Sequence, residues 1–321
     1  MARIVTVFGA TGAQGGSVAY ELLRNKEWKV RAITRSVTGE KARVLELNGA
    51  ELVYADFERP ETLASAVSGA EVVFGVTDYW QYIENHGNVE AGNIETRQGI
   101  CLVDVLALSP TLKHFIWSTL PRATPESPGA VEVPHFNAKN RVDMYIKEYH
   151  PKLAAKTTYL GVGWYAENMA WYPFFSPQKY GAWGHYVFIQ PCSPMTKIPM
   201  AGSVRKNVGV LVKAILDRPE VSLPGKVVQV AIGLMTYPEL LATWSKATGK
   251  NATYVQCTRE VFESLYPATG LELALQYVFL NNVASSAEVD TNIVEASALG
   301  VSQHMLVGVE ETLRELSSSW N

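Results

Sequence analysis

Cysteine is scarce in this 321-residue sequence. Cys101, Cys192 and Cys257 are odd in number, far apart and never in CxxC spacing. Neither a disulfide framework nor a zinc site is indicated, and buried free thiols are expected. An excess of one charge is also missing. Against 31 Asp and Glu there are 28 Lys and Arg, a formal net charge of -3, without the basic surplus that binding a nucleic-acid backbone needs. No apolar run approaches the roughly 20 residues of a membrane span. The first residues carry neither a signal-peptide core nor an Arg-rich transit pattern. A cytoplasmic protein with no membrane or nucleic-acid partner is the expectation. Internal repeats, low-complexity tracts and metal-ligand clusters are lacking as well; His185 and His304 stand alone, and no metal is expected.

What remains is an ordinary globular composition, 47% hydrophobic and 18% charged. The chain is longer than one core usually fills, so a large domain with a smaller appended lobe is expected. The stretch Val5 to Ser17, VTVFGATGAQGGS, organises the rest. Its apolar run reads as a strand buried on both faces. Gly9, Gly12 and Gly15 follow at GxxGxxG spacing, where a missing Cβ permits a tight turn, a close pyrophosphate and close helix packing. A helix beginning near Ala13 then aims its free amides and positive dipole end at the phosphates. A glycine triplet alone is a weak signal; its position between a strand and a helix makes it a dinucleotide fingerprint.

Strand and helix signals then alternate at the pace of βαβ units. KVRAIT (Lys29 to Thr34) reads as a second strand with Arg35 at its end, where an acidic residue would hold an adenosine 2′-hydroxyl and arginine suits a 2′-phosphate. That points to NADP(H); the alternative is a solvated arginine. Thr38 to Asn48 reads as a helix closed by Gly49, and Ala50 to Asp56 as a third strand. Asp56 and Phe57 either bracket an adenine or, for Asp56, cap the helix after Pro60. Ala70 to Thr77 is a fourth strand and Lys113 to Thr119 a fifth, separated by a helix over Gly92 to Leu108. Leu120 to Pro134 reads as loop, Asn137 to Tyr149 as helix, and Lys156 to Val162 as a sixth strand. This succession predicts an α/β fold, a Rossmann-type doubly wound parallel sheet with a smaller C-terminal α+β lobe. Residues 1–155 are expected to form the NADP(H)-binding domain. Residues 156–321 are expected to form mostly the lobe, with returning segments that complete the sheet.

Five motifs stand in order along this pattern: GATGAQGGSV at Gly9 to Val18, the pair Thr34 and Arg35, TDYW at Thr77 to Trp80, HFNAK at His135 to Lys139, and GWYAENM at Gly163 to Met169. Over essentially the whole chain they resemble the NmrA-like group of atypical short-chain dehydrogenases, and within it the HSCARG-type NADP(H)-binding proteins. The resemblance implies NADP(H) in the crevice and one of two functions, an NADPH-dependent reductase or a sensor of the NADP(H) ratio that regulates a partner protein. It implies a phosphate loop of Gly9, Ala10, Thr11, Gly12, Ala13 and Gln14 with Gly15, and a 2′-phosphate clamp of Arg35 with Ser36. Thr77, Asp78 and Tyr79 would line the nicotinamide ribose side, Lys139 would contact that ribose, and Tyr165, Ala166, Glu167 and Asn168 would lie beside the nicotinamide.

The catalytic candidates are Lys139, His135 and Ser118. Classical short-chain dehydrogenases use a YxxxK pair and a serine at the end of the fifth strand; here histidine replaces the tyrosine, as in HSCARG-like members. Histidine can donate a proton near neutral pH, but a neighbouring lysine ammonium opposes its charged form. His135 also follows Pro134, and the alternative is a place just before the helix, pointing elsewhere. Between Tyr159 and Phe188 lies a third of the chain's aromatic residues (8 Trp, 15 Tyr and 10 Phe in all). Trp164, Trp171 and Tyr172, with Trp80, are candidates for holding a bulky, aromatic or polyketide-like substrate; the alternative is that these rings pack the lobe or an interface. Farther on, Val208 to Leu216 reads as a helix of the lobe, Gly225 to Ala231 as a strand and Thr236 to Thr248 as a capped helix ending at Gly249. Ala252 to Gln256 reads as a short strand, and Leu271 to Leu280 and Val307 to Leu316 as surface helices. The expected function is NADPH-dependent reduction of a carbonyl, enone or imine in a medium-sized hydrophobic molecule. The alternatives are a non-catalytic sensor docking a protein partner and, more weakly, a lyase or isomerase. A homodimer through the Gly92 to Leu108 helix is expected by analogy alone.

Overall fold

The computed structural model describes residues 3–122, 131–283 and 292–320. Six short runs rich in β-branched and aromatic residues form β1 (Arg3–Val7), β2 (Trp28–Thr34), β3 (Glu51–Tyr54), β4 (Val72–Gly75), β5 (His114–Thr119) and β6 (Thr157–Val162). Two later strands, Val227–Val230 and Ile293–Val294, complete one eight-stranded parallel sheet. Its order runs Ile293–Val294, Val227–Val230, β6, β5, β4, β1, β2, β3. β4 and β5 are buried throughout, as strands covered by helices on both faces must be. The order reverses at β1, which pairs with β2 on one side and β4 on the other. A crevice therefore opens beyond the C-terminal ends of β1 and β4.

Several elements differ from expectation, each for a physical reason. The helix expected over Gly92 to Leu108 spans Trp80–Ala107, interrupted at Gly87 (φ 71, ψ 172); that glycine breaks the apolar period and hides the first turns. The next helix is Pro134–Tyr149 rather than starting at Asn137. Proline is pre-organised for a first helical turn, whose amide has no internal partner anyway. His135 is thus inside the helix, one turn before Lys139. Residues 123–130 of the expected Leu120 to Pro134 loop lie outside the described residues.

Two three-stranded sheets make up the smaller part: Gly233–Thr236 with Lys197–Gly202 and Trp164–Tyr165, and Asn251–Gln256 with His185–Gln190 and Gln178–Tyr180. The helix Tyr237–Thr248 carries a Thr236 to Glu239 capping box and ends at Gly249 (φ 72), as its sequence signals. Leu271 to Leu280, expected on the surface, lies in the helix Gly270–Val283, where Glu272, Leu273, Ala274 and Tyr277 are buried. Its apolar residues surround the helix, the pattern of a buried one. Val307 to Leu316 likewise buries Val309, Thr312 and Leu313 from its helix Val309–Glu315.

The helix assigned to the lobe over Val208 to Leu216 spans Val204–Asp217 and covers the parallel sheet instead, its valines and leucines sharing a core with Val5, Val7 and Val30. It packs on Ala13–Leu23, where the Gly209 N–H donates to Ser17 Oγ at 2.8 Å. A Cβ on Gly209 would stand 2.3 Å from the Ser17 carbonyl oxygen. Gly209→Val should therefore destabilise the fold by about 1–3 kcal/mol through overpacking. Denaturant unfolding checks this, and an unchanged midpoint would contradict the close approach.

Candidate functional site

The crevice begins at the glycine loop. Gly9 has φ 64, and its carbonyl oxygen would lie 2.3 Å from a Cβ on Gly15. The Gly12 N–H closes the turn on Gly9 O at 2.8 Å. The helix Ala13–Leu23 has Gly12 as its N-cap, no side-chain cap and no acid in its first turn. Its positive end is thus left for an anion. Gly9, Thr11, Gly12, Ala13, Gln14 and Gly15 line a cleft of about 470 Å³, while Ala10 packs inward.

At one end of the cleft stands Arg35, exposed, its Nη1 donating to Gln81 Oε1 at 2.8 Å. Ser36 is exposed beside it but does not line the cleft; its N–H donates to Thr34 Oγ1 at 3.1 Å. Phe57 stacks on Phe8 with ring centroids 5.4 Å apart. Asp56 also faces the cleft, and its carboxylate accepts from the Glu58 N–H at 3.0 Å. It closes its own turn there, and the 3-10 turn Pro60–Thr62 has no side-chain cap.

The other end is built on Lys139, which is buried. Its ammonium donates to Thr77 Oγ1 at 2.9 Å and Thr77 O at 3.3 Å, and pairs with Glu95 Oε1 at 3.0 Å. The Thr77 hydroxyl in turn donates to Glu95 at 2.8 Å. Asp78 stands at the open mouth beside them; the surrounding protein, then the Glu95 carboxylate, push its ionisation up. One turn beyond Lys139, Asp143 accepts from Thr119 Oγ1 at 2.7 Å. Burial pushes its carboxyl up to about 6, against that bond. Ser118 reaches the cleft, but its hydroxyl donates to Gln14 Oε1 at 2.7 Å, and Gln14 Nε2 donates to Tyr165 Oη at 2.6 Å. The Tyr79 ring is buried and its hydroxyl donates to Asn88 O at 3.0 Å.

His135 lies among Tyr79, Trp80 and Phe136, with ring centroids 5.6, 5.1 and 4.5 Å away. Its Nδ1 is 2.5 Å from Glu272 Oε1, and its main-chain N–H donates to the same oxygen at 2.8 Å. The ring therefore does not point elsewhere. Lys139 and His135 each have their own buried carboxylate, so the lysine charge does not bear on the histidine unopposed. Neither carboxylate was foreseen. Glu95 has a readable signal, since it falls on the helix face of Ala91, Gly92, Gln98, Gly99 and Leu102. Glu272 has none, because it meets His135 across 137 residues of chain.

Trp80, Trp164, Trp171 and Tyr172 all line the cleft, joined by Phe174, Phe175, Gln276 and Leu280. The aromatic segment nevertheless divides, with Tyr186 and Phe188 in the lobe core and Tyr180 and Trp183 turned to solvent, 72% and 97% exposed. Asn168 and Tyr165 face the cleft. Ala166 and Glu167 do not. Ala166 is buried, and the Glu167 carboxylate accepts from Ser203 Oγ at 2.8 Å and the Val204 N–H at 3.1 Å, capping the helix Val204–Asp217.

Comparison with known proteins shows the family and the fold. A model of the NmrA-like family matches residues 1–305. An NmrA-like family domain-containing protein of Dictyostelium discoideum is 28% identical over 286 residues, 88% of each chain. The NmrA-like family domain-containing oxidoreductase cpsB of Aspergillus campestris is 31% identical over 260 residues, 79% of this chain and 75% of its own. Among solved structures, the negative transcriptional regulator NmrA in complex with NADP has a TM-score of 0.70 at 20% identity, covering 100% of this chain and 92% of its own. Leucoanthocyanidin reductase from Vitis vinifera, in its binary complex with NADPH, has a TM-score of 0.70 at 19% identity, covering 98% and 99%. The two structures share the fold, and the family match spans both the glycine loop and the His135 and Lys139 helix, so the chain belongs to the NmrA-like family.

Proposed function

We propose that the protein is an NADP(H)-dependent oxidoreductase that reduces a carbonyl, enone or imine in a medium-sized hydrophobic molecule. The observation that carries this is the continuity of the cleft. It runs from the glycine loop and Arg35, past a buried lysine and histidine, to an aromatic end. Named oxidoreductases among the relatives, and neighbours described with NADP and NADPH, support the reading.

The residues present fit the cofactor. The loop can admit a pyrophosphate against its backbone because Gly12, at the head of the helix Ala13–Leu23, carries no Cβ, and the uncapped helix end favours its charge. Arg35, held by Gln81, offers a guanidinium to a 2′-phosphate. Phe57, backed by Phe8, offers a flat apolar face to adenine. Thr77, Glu95 and Lys139 together offer donors and acceptors to ribose hydroxyls; all three Lys139 protons are already engaged, so the long bond to Thr77 O is the one given up. When bound, the reduced nicotinamide supplies a hydride. The tryptophan and tyrosine rings exclude water and hold a planar substrate against it, and His135 holds the proton that a carbonyl oxygen or imine nitrogen takes up.

A second reading, sensing of NADP(H) that controls a protein partner, is favoured by Gln14. Its side chain ties the phosphate loop to Tyr165 in the small sheet and to Ser118 on β5. Cofactor seated on the loop would act on that tie directly.

Fluorescence titration with NADPH and NADH is the first test. Arg35→Glu should weaken NADPH binding by about 10–100-fold, the worth of a charge-assisted bond, and NADH binding much less. Equal losses would remove the 2′-phosphate assignment. NADPH oxidation should then be followed with aromatic ketones, enones and imines. Turnover by the wild type that falls at least about 100-fold in folded Lys139→Met supports the reductase. Tight binding without turnover across the panel favours the sensor.

A further inference from the structure

We propose that Glu272 is a positioning residue that turns His135 into a directed proton donor. The proposal rests on the reductase reading and names the residue that organises its proton delivery.

Three observations carry it. First, one buried carboxylate oxygen receives both the ring Nδ1 and the main-chain N–H of His135, at 2.5 and 2.8 Å. Two bonds from one residue to one atom fix the rotation of the imidazole and assign the Nδ1 proton to the carboxylate. Second, His135 lines the cleft and Glu272 does not. The ring edge that reaches the cleft is therefore the one away from Nδ1, which carries Nε2. Third, two neighbouring hydroxyls are committed elsewhere: Tyr79 donates to Asn88 O and Ser118 to Gln14. Tyr165 accepts from Gln14, and burial pushes its phenol ionisation up.

The carbonyl carbon gains a hydride from the reduced nicotinamide as the C–O π bond breaks, and the oxygen takes the proton from Nε2. The carbonyl is reduced to an alcohol and the nicotinamide is oxidised. His135 is left neutral with its Nδ1–H still on Glu272, and solvent returns the Nε2 proton. Glu272 touches neither reactant; it orients the ring and opposes the charge of the imidazolium before transfer.

A purely structural reading competes, because His135 is in the first turn of Pro134–Tyr149 and a carboxylate there caps a free amide. Glu272→Gln separates the two, since glutamine still presents an oxygen to the amide but carries no charge. Full-length protein labelled with 15N-histidine should show a strongly downfield Nδ1–H proton, absent in His135→Phe and shifted upfield in Glu272→Gln. Glu272→Gln should also lower kcat by about 10–100-fold in protein that remains folded, part of the range for general acid catalysis, with the KM for NADPH little changed. A wild-type spectrum in which Nε2 carries a proton and Nδ1 carries none overturns the assignment without any need for turnover. Wild-type kcat in folded Glu272→Gln overturns it as well. A wild type that binds NADPH but reduces nothing overturns the reductase reading, and with it the catalytic role of the pair, while leaving the spectrum to report the pair itself.

Discussion

The contact on which the rest depends is the approach of Gly15 to the carbonyl of Gly9. A single methyl group at Gly15 would stand 2.3 Å from that oxygen, so the helix can begin directly above β1 only because the side chain is missing. That proximity places an uncapped helix end at the point where the sheet order reverses. It also lets Val204–Asp217 lie close along Ala13–Leu23, through a second glycine at 209. Loop, switch point and cover helix are one construction.

Across the cleft, the decisive constraint is electrostatic. Two basic side chains, Lys139 and His135, lie one turn apart on a single helix and are both buried. Each is matched with a carboxylate from a different element, Glu95 from Trp80–Ala107 and Glu272 from Gly270–Val283. A buried lysine–glutamate pair such as Lys139 with Glu95 contributes little net stability compared with apolar packing, yet removing one partner is costly. Because Glu272 comes from the smaller part of the molecule and His135 from the larger, the pair exists only once the two are packed together.

The aromatic segment follows the same logic of divided use. Trp164 and Phe175 are members of the lobe core and also line the cleft, so the rings that stabilise the smaller part also form the wall of the site. Trp183, at a turn flanked by Gly181 and Gly184 with positive φ, belongs to neither.

What is local can be read from the residues alone. GxxGxxG after an apolar run, Arg35 at the end of the next strand, the cap at Thr236 and the alternation of strand and helix signals depend on residues a few positions apart, and each stands where the sequence places it. Tertiary structure decided what depends on distant chain. It decided that Val204–Asp217 covers the main sheet, that Gly270–Val283 is buried, that Glu167 caps a helix rather than facing the cleft, and that His135 meets Glu272. An amphipathic period shows that a helix has an apolar face but not which partner covers it, and a lone glutamate does not show which base it will meet. Those partners are selected only when the whole chain is packed, because burial leaves each charge with the acceptor the fold brings to it.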